Sequence, residues 1–213
     1  MKNIKYISYA LLGGILAFGA CKKPLDLTPP SSLTPEQVGA EDAPKLLSGI
    51  YDALQQGSQG SAYYYLSYVT EDLSADNLRY RATFFQHGEI DNNAILENNV
   101  LVSRYFNAPY VVIQRANDLL EILNSNPDIS EDISRPLYSQ AHFLRAYAYY
   151  RLVNTFGPVP IVFNRDITEV PRNSEDEVYK QIISDLQASI GYNDTFTSAY
   201  FASAEASKAL LAS

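Results

Sequence analysis

Between Asp72 and Phe85 the chain concentrates flat rings and planar polar groups: Asp72, Asp76, Asn77, Arg79, Tyr80, Arg81, Phe84 and Phe85. Aromatic rings stack on the apolar face of a pyranose, and carboxylate, amide and guanidinium groups exchange hydrogen bonds with its hydroxyls. The mixture suits a sugar surface. It equally describes a solvated loop with a local aromatic cluster, and composition does not choose between the two. The whole chain shares the bias, with 17 Tyr, 9 Phe and no Trp in 213 residues. Tyrosine buries its ring while keeping its hydroxyl wet, so it serves helix packing and polar surfaces alike.

Other chemistry finds little material. The single cysteine excludes a disulfide framework, a redox pair and a cysteine-based zinc site. The only histidines are His87 and His142, so neither a metal nor a cofactor is expected. His142 reads as a surface or helix-packing histidine. No GxSxG, HExxH or P-loop pattern is present. With 24 acidic and 16 basic residues, a net charge of −8, the chain is not suited to non-specific nucleic-acid binding.

The cysteine lies where a lipid would be attached. Lys2 and Lys5 are followed by an apolar run, Tyr6 to Phe18, and then by Gly19, Ala20 and Cys21. The run is too short to span a bilayer, which takes about 20 apolar residues. Residues 1–20 therefore read as a lipoprotein signal peptide and Cys21 as the acylated N-terminus of the mature chain. Residues 21–33, with Pro24, Pro29 and Pro30, read as an extended tether. Residues 34–213 form the folded part.

Thr34-Pro35-Glu36-Gln37 is a helix start. Asp42 is placed to cap a segment carrying Leu46, Leu47, Ile50 and Leu54, closed by Gly57 and Gly60. Tyr63-Tyr64-Tyr65 fits strand or helix. The stretch Glu71–Asn99 lacks a strong period and predicts long loops. From Asn99 onward the pattern is helical: Tyr105, Val112, Ala116, Leu119 and Leu123 share one face, with Pro109 as a kink or a start. Leu137, Ala141, Leu144, Ala148 and Leu152 form the next face, stopped at Phe156-Gly157-Pro158. Ser174-Glu175-Asp176-Glu177 is a capping box ahead of Val178, Ile182, Leu186 and Ile190. A last helix begins near Ala202, with Ala209, Leu210 and Leu211 left uncovered. The expected fold class is mainly all-α: stacked helical hairpins with long irregular loops, similar to tetratricopeptide units of about 34 residues. Ala141, Ala146 and Ala148 would admit a close neighbour. Tyr147, Tyr149 and Tyr150 are expected to pack between helices, and Arg145 to pair with a carboxylate such as Asp185 or Glu121.

The segment Gln140-Ala141-His142-Phe143-Leu144-Arg145-Ala146-Tyr147-Ala148-Tyr149-Tyr150-Arg151-Leu152-Val153, followed by Phe156-Gly157-Pro158-Val159-Pro160, resembles the SusD/RagB family of Bacteroidetes outer-membrane lipoproteins. The family pattern is approximately E-A-R-F-L-R-A-Y-x-Y-x-x-L-V-x-x-F-G-x-V-P. Gln140 and His142 replace its Glu and Arg, and Pro158 stands where Asp or Gly is common. Phe143, Leu144, Arg145, Ala146, Phe156, Gly157 and Pro160 carry the match and read as structural. Gly49–Leu54, Tyr110–Asn117, Glu177–Leu186 and Ala206–Ala212 resemble further family segments in order. Family members are more than twice this length, so the chain is expected to be an N-terminal, truncated portion.

The resemblance implies a SusD-like fold and a protein at the outer membrane, lipid-anchored and facing the cell surface. It would bind a nutrient, chiefly oligosaccharide, and deliver it to a SusC-like TonB-dependent transporter without breaking a bond. The family's ligand contacts from its N-terminal half come from loops of the region that holds Asp72 to Phe85 here. Two other readings share the lipid signal: a structural helical-repeat envelope lipoprotein, and a surface glycan hydrolase.

Overall fold

The computed structural model describes residues 38–55, 63–81, 83–163, 170–192 and 198–213. Among these residues the chain forms seven helices and no strand: α1 (Ala43–Gln55), α2 (Tyr63–Ser74), α3 (Phe85–Asp91), α4 (Val100–Ser125), α5 (Glu131–Phe156), α6 (Glu175–Tyr192) and α7 (Ala204–Leu211). The leader, Cys21, the tether, the Thr34-Pro35 start, Gly57 and Gly60 lie outside the described residues.

Local chemistry sets the ends of these helices. Asn99 opens α4: its side-chain oxygen accepts the amides of Leu101 at 2.9 Å and Val102 at 3.4 Å. Pro109 therefore lies inside α4 and does not start it. At α6 the capping box forms in both directions. The Glu177 amide donates to Ser174 Oγ at 3.3 Å, and the Ser174 amide donates to Glu177 Oε2 at 2.8 Å. Asp42, by contrast, turns its carboxylate to Lys45 Nζ at 2.7 Å. Gly157 ends α5 with φ +69°, a conformation that favours glycine.

α4 and α5 form a hairpin across a five-residue connection, α6 packs along α5, and α1 lies against both α4 and α5. The apolar stripes read from the sequence meet in one core: Ile50, Val112, Leu119, Leu144, Leu152 and Leu186 are fully buried there. Each such side chain contributes about 1.5–3 kcal/mol of burial. Ala141, Ala146 and Ala148 are buried in it too, as is Tyr149, while Tyr150 packs on its edge. Leu210 of α7 also rests on this core, so the terminal apolar face is covered at that residue and open at Leu211.

A second, smaller core corrects the expectation of long loops over Glu71–Asn99. α2 runs through Ser74 and α3 occupies Phe85–Asp91. Leu66 and Leu73 of α2 and Ile90 of α3 pack on Leu101, Tyr105 and Ala108 of α4. Two or fewer fully buried apolar residues per helix leave too thin a stripe to register as a period. Phe156 touches both cores, with its ring centroid 5.8 Å from Tyr105 and 5.1 Å from Phe106. Among the described residues no helix is long and apolar enough to cross a membrane.

Candidate functional site

The segment that carries the family resemblance is a structural joint. Arg145 Nε and Nη2 donate to the two oxygens of Asp185 at 2.9 and 2.6 Å, and Nη1 donates to Asn117 Oδ1 at 2.7 Å. His142 Nδ1 and Gln181 Nε2 complete the shell of Asp185 at 2.8 and 3.1 Å. Burial alone opposes ionisation of Asp185. The hydrogen bonds from His142 and Arg145 and the guanidinium charge outweigh it and hold the carboxyl below its usual range. The joint reaches further: Asn117 Nδ2 donates to the Val162 carbonyl at 2.8 Å, and the Val162 amide donates to Tyr149 Oη at 2.8 Å. Burial pushes the Tyr149 hydroxyl up to about 12. Tyr110 Oη donates to the Pro160 carbonyl at 2.9 Å. Four elements, α4, α5, α6 and the segment 157–163, are thus tied around one guanidinium.

The open feature is at the other core. A cleft of about 620 Å³ lies among α2, α3, the start of α4, residues 78–80 and Phe84, lined in part by Tyr65, Arg79, Tyr80, His87 and Arg104. Its floor follows from the small core: Leu73 and Leu101 are buried there and also line it. Its rim is built by Tyr80. The Tyr80 amide donates to Asp91 Oδ2 at 3.3 Å, its ring stacks on His87 at 4.7 Å and 16°, and its hydroxyl accepts the Phe84 amide at 3.1 Å. His87 Nε2 lies 3.2 Å from Tyr65 Oη, whereas Nδ1 is shut off from solvent and has no hydrogen-bond partner among the described residues. Desolvation lowers the pKa of His87, which favours the neutral ring. α3 is tethered to α4 by Asn99, whose Nδ2 donates to Glu89 Oε2 at 2.7 Å and to the Gln86 carbonyl at 3.0 Å. A smaller hollow of about 460 Å³ adjoins, lined by Gln55, Tyr64, Tyr65 and Tyr68, and Tyr65 is common to both.

The eight sequence candidates divide into three groups. Arg79, Tyr80 and Phe84 line the cleft. Asp72, Asp76 and Asn77 form the turn that ends α2: the Asp72 carbonyl accepts the amides of Asn77 and Leu78 at 3.0 and 3.1 Å, and Asp76 has φ +58°. They position the loop and do not line the cleft. Arg81 and Phe85 are exposed outside its lining. Gln86, His87 and Arg104 also line the cleft, reaching it from α3 and α4, outside the polar stretch Asp72–Phe85.

These features define an all-α scaffold of packed helical hairpins with an aromatic, solvent-open cleft at its N-terminal helices. A family model described as starch-binding and associating with the outer membrane matches residues 23–212, and the chain belongs to this SusD-like family. SusD-like protein P38 of Formosa agariphila is 27% identical over 201 residues, 88% of this chain and 37% of that protein. SusD-like protein P2 of the same organism is 32% identical over 104 residues, 46% of this chain and 20% of that protein. Among solved structures, a SusD superfamily protein from Bacteroides vulgatus superposes with a TM-score of 0.71 at 17% identity, covering 81% of this chain and 38% of that one. A laminarin-binding SusD-like protein gives 0.68 at 25% identity, covering 81% and 39%. The chain thus spans well under half the length of these relatives.

Proposed function

We propose that this protein is a lipid-anchored, surface-facing outer-membrane component that binds oligosaccharide at the α2–α4 cleft and delivers it to a SusC-like TonB-dependent transporter. The cleft carries the reading: Tyr65, Tyr80 and Phe84 offer ring surface to a pyranose while Arg79 stands ready to meet its polar groups. Family membership supports the membrane and glycan parts, and the run from Lys2 to Cys21 supports the acyl anchor. A lipid tether keeps the cleft at high effective concentration beside a transporter. Binding without hydrolysis is the action we propose, and membership in a family described as starch-binding supports it.

The test is retardation of the intact protein in native gels cast with individual polysaccharides, together with its purification from native membranes. Retardation by at least one glycan, with co-purification of a TonB-dependent barrel, supports the reading. Recovery with assembly factors and no barrel points to the structural lipoprotein, and release of sugar from labelled glycan points to the hydrolase.

A further inference from the structure

The cleft has a charge character opposite to that of the chain. The whole sequence carries a net charge of −8, with 24 acids against 16 bases. Yet the charged side chains lining the cleft are Arg79 and Arg104, from two different elements, with no Asp or Glu among the described lining. The α3 carboxylates nearest the rim, Glu89 and Asp91, do not line the cleft and accept neutral N–H donors. Glu89 Oε2 accepts Asn99 Nδ2 at 2.7 Å and the Leu96 amide at 3.3 Å, and Asp91 accepts the Tyr80 amide. Arg79 itself is exposed and makes no ion pair with a described residue. A guanidinium left in this way beside the rings of Tyr80 and Phe84 has a planar fork matched to a planar or tetrahedral oxyanion.

Resting on the glycan-binding reading of this cleft, we infer that its ligand is an acidic oligosaccharide. A sugar ring would lie on the Tyr80 and Phe84 side, and an oxyanion on the same or the next residue would pair with Arg79. The oxyanion is a uronate carboxylate or a sulfate ester; the recognition chemistry is the same, and the ligand panel separates the two. Neutral glycans would gain the stacking and forgo the ion pair. Because both groups are open to water, the preference weakens as salt rises.

The experiment is titration calorimetry of the intact protein with two matched pairs of hexasaccharides. One is oligogalacturonate and its methyl ester, in which the charge is masked on the same sugar. The other is a carrageenan oligosaccharide and its desulfated form. Laminarihexaose serves as a neutral reference. One acidic member should bind about tenfold or more tighter than its masked partner, with the gap closing between 50 and 500 mM NaCl. Arg79→Gln should abolish the gap, and Arg79→Lys should keep part of it. Arg79 is exposed, so both variants should melt with the parent. Equal affinity for charged and masked partners, or binding of laminarihexaose alone, would overturn the acidic preference and leave the glycan-binding reading standing. Failure of every glycan tested there and in native gels would overturn both.

Discussion

The ring of Tyr80 lies on the ring of His87, with centroids 4.7 Å apart and planes 16° apart. The contact fastens the chain that follows α2 to α3, and Tyr80 Oη accepts the Phe84 amide at 3.1 Å. One residue thereby shapes the rim of the cleft with both its ring and its hydroxyl. Tyr80→Phe keeps the stack and drops the hydrogen bond. It is expected to lower stability by about 0.5–1.5 kcal/mol and to speed amide exchange at Phe84, read by hydrogen–deuterium exchange. Unchanged exchange at Phe84 would show that the hydroxyl does not hold the rim.

Asp185 is the anion at the centre of the main core, about 1% exposed, and Arg145 depends on it. Asp185→Asn leaves a buried guanidinium with half its partner and is expected to cost about 3–5 kcal/mol in urea denaturation. Replacing the pair together, Arg145→Met with Asp185→Leu, should cost clearly less than the sum of the single changes, because no lone charge is left buried.

Two groups give stability a pH dependence in separate windows. Asp185 is held below the usual 3.8, so its contribution is present above that value and is lost as pH falls through the lower folded-state value. His87 is held below the usual 6.5. There the unfolded chain takes up the proton first, so stability falls as pH drops below about 6.5, until the folded ring is protonated too. Thermal melts from pH 8 to pH 3 should show both declines. His87→Phe, which keeps a ring against Tyr80, should remove the upper one and leave the lower.

Glycine at 157 and glycine at 49 should respond in opposite ways. Gly157 has φ +69°, and a Cβ there would meet Glu175 Oε1 at 3.2 Å, so Gly157→Ala is expected to destabilise by about 1–3 kcal/mol. Gly49 lies within α1 with nothing within 4 Å of an added Cβ, so Gly49→Ala should stabilise by about 0.5–1 kcal/mol. Melting temperatures moving the same way would contradict the backbone argument.

The legible parts of the sequence were those in which one helix carries its own evidence. α4 and α5 each bury a long stripe, so Val112 to Leu123 and Leu137 to Leu152 announced their faces. Ser174 and Glu177 announced the start of α6. Arg145 had two candidate partners, and the packing of α6 along α5 selected Asp185. α2 and α3 were hidden because each buries so little that polar residues dominate its pattern. The site was half legible for a related reason. Arg79, Tyr80 and Phe84 sit in one polar, aromatic stretch, and a window of sequence finds them. His87 and Arg104 join them only because α3 and α4 fold back on the small core. Asp72 and Asn77 share the same composition but close the turn after α2.

The central claim, that the α2–α4 cleft holds glycan, is tested most directly by calorimetry of the intact protein. The ligand is the oligosaccharide that retards the parent most in native gels. Tyr80→Ala and Phe84→Ala should each weaken binding about tenfold, since removing a stacking ring costs on the order of 0.5–1.5 kcal/mol beyond its buried area. Arg81→Ala, outside the lining, should bind as the parent does. Parent-like affinity in the folded Tyr80→Ala and Phe84→Ala variants would contradict the account and place the glycan elsewhere.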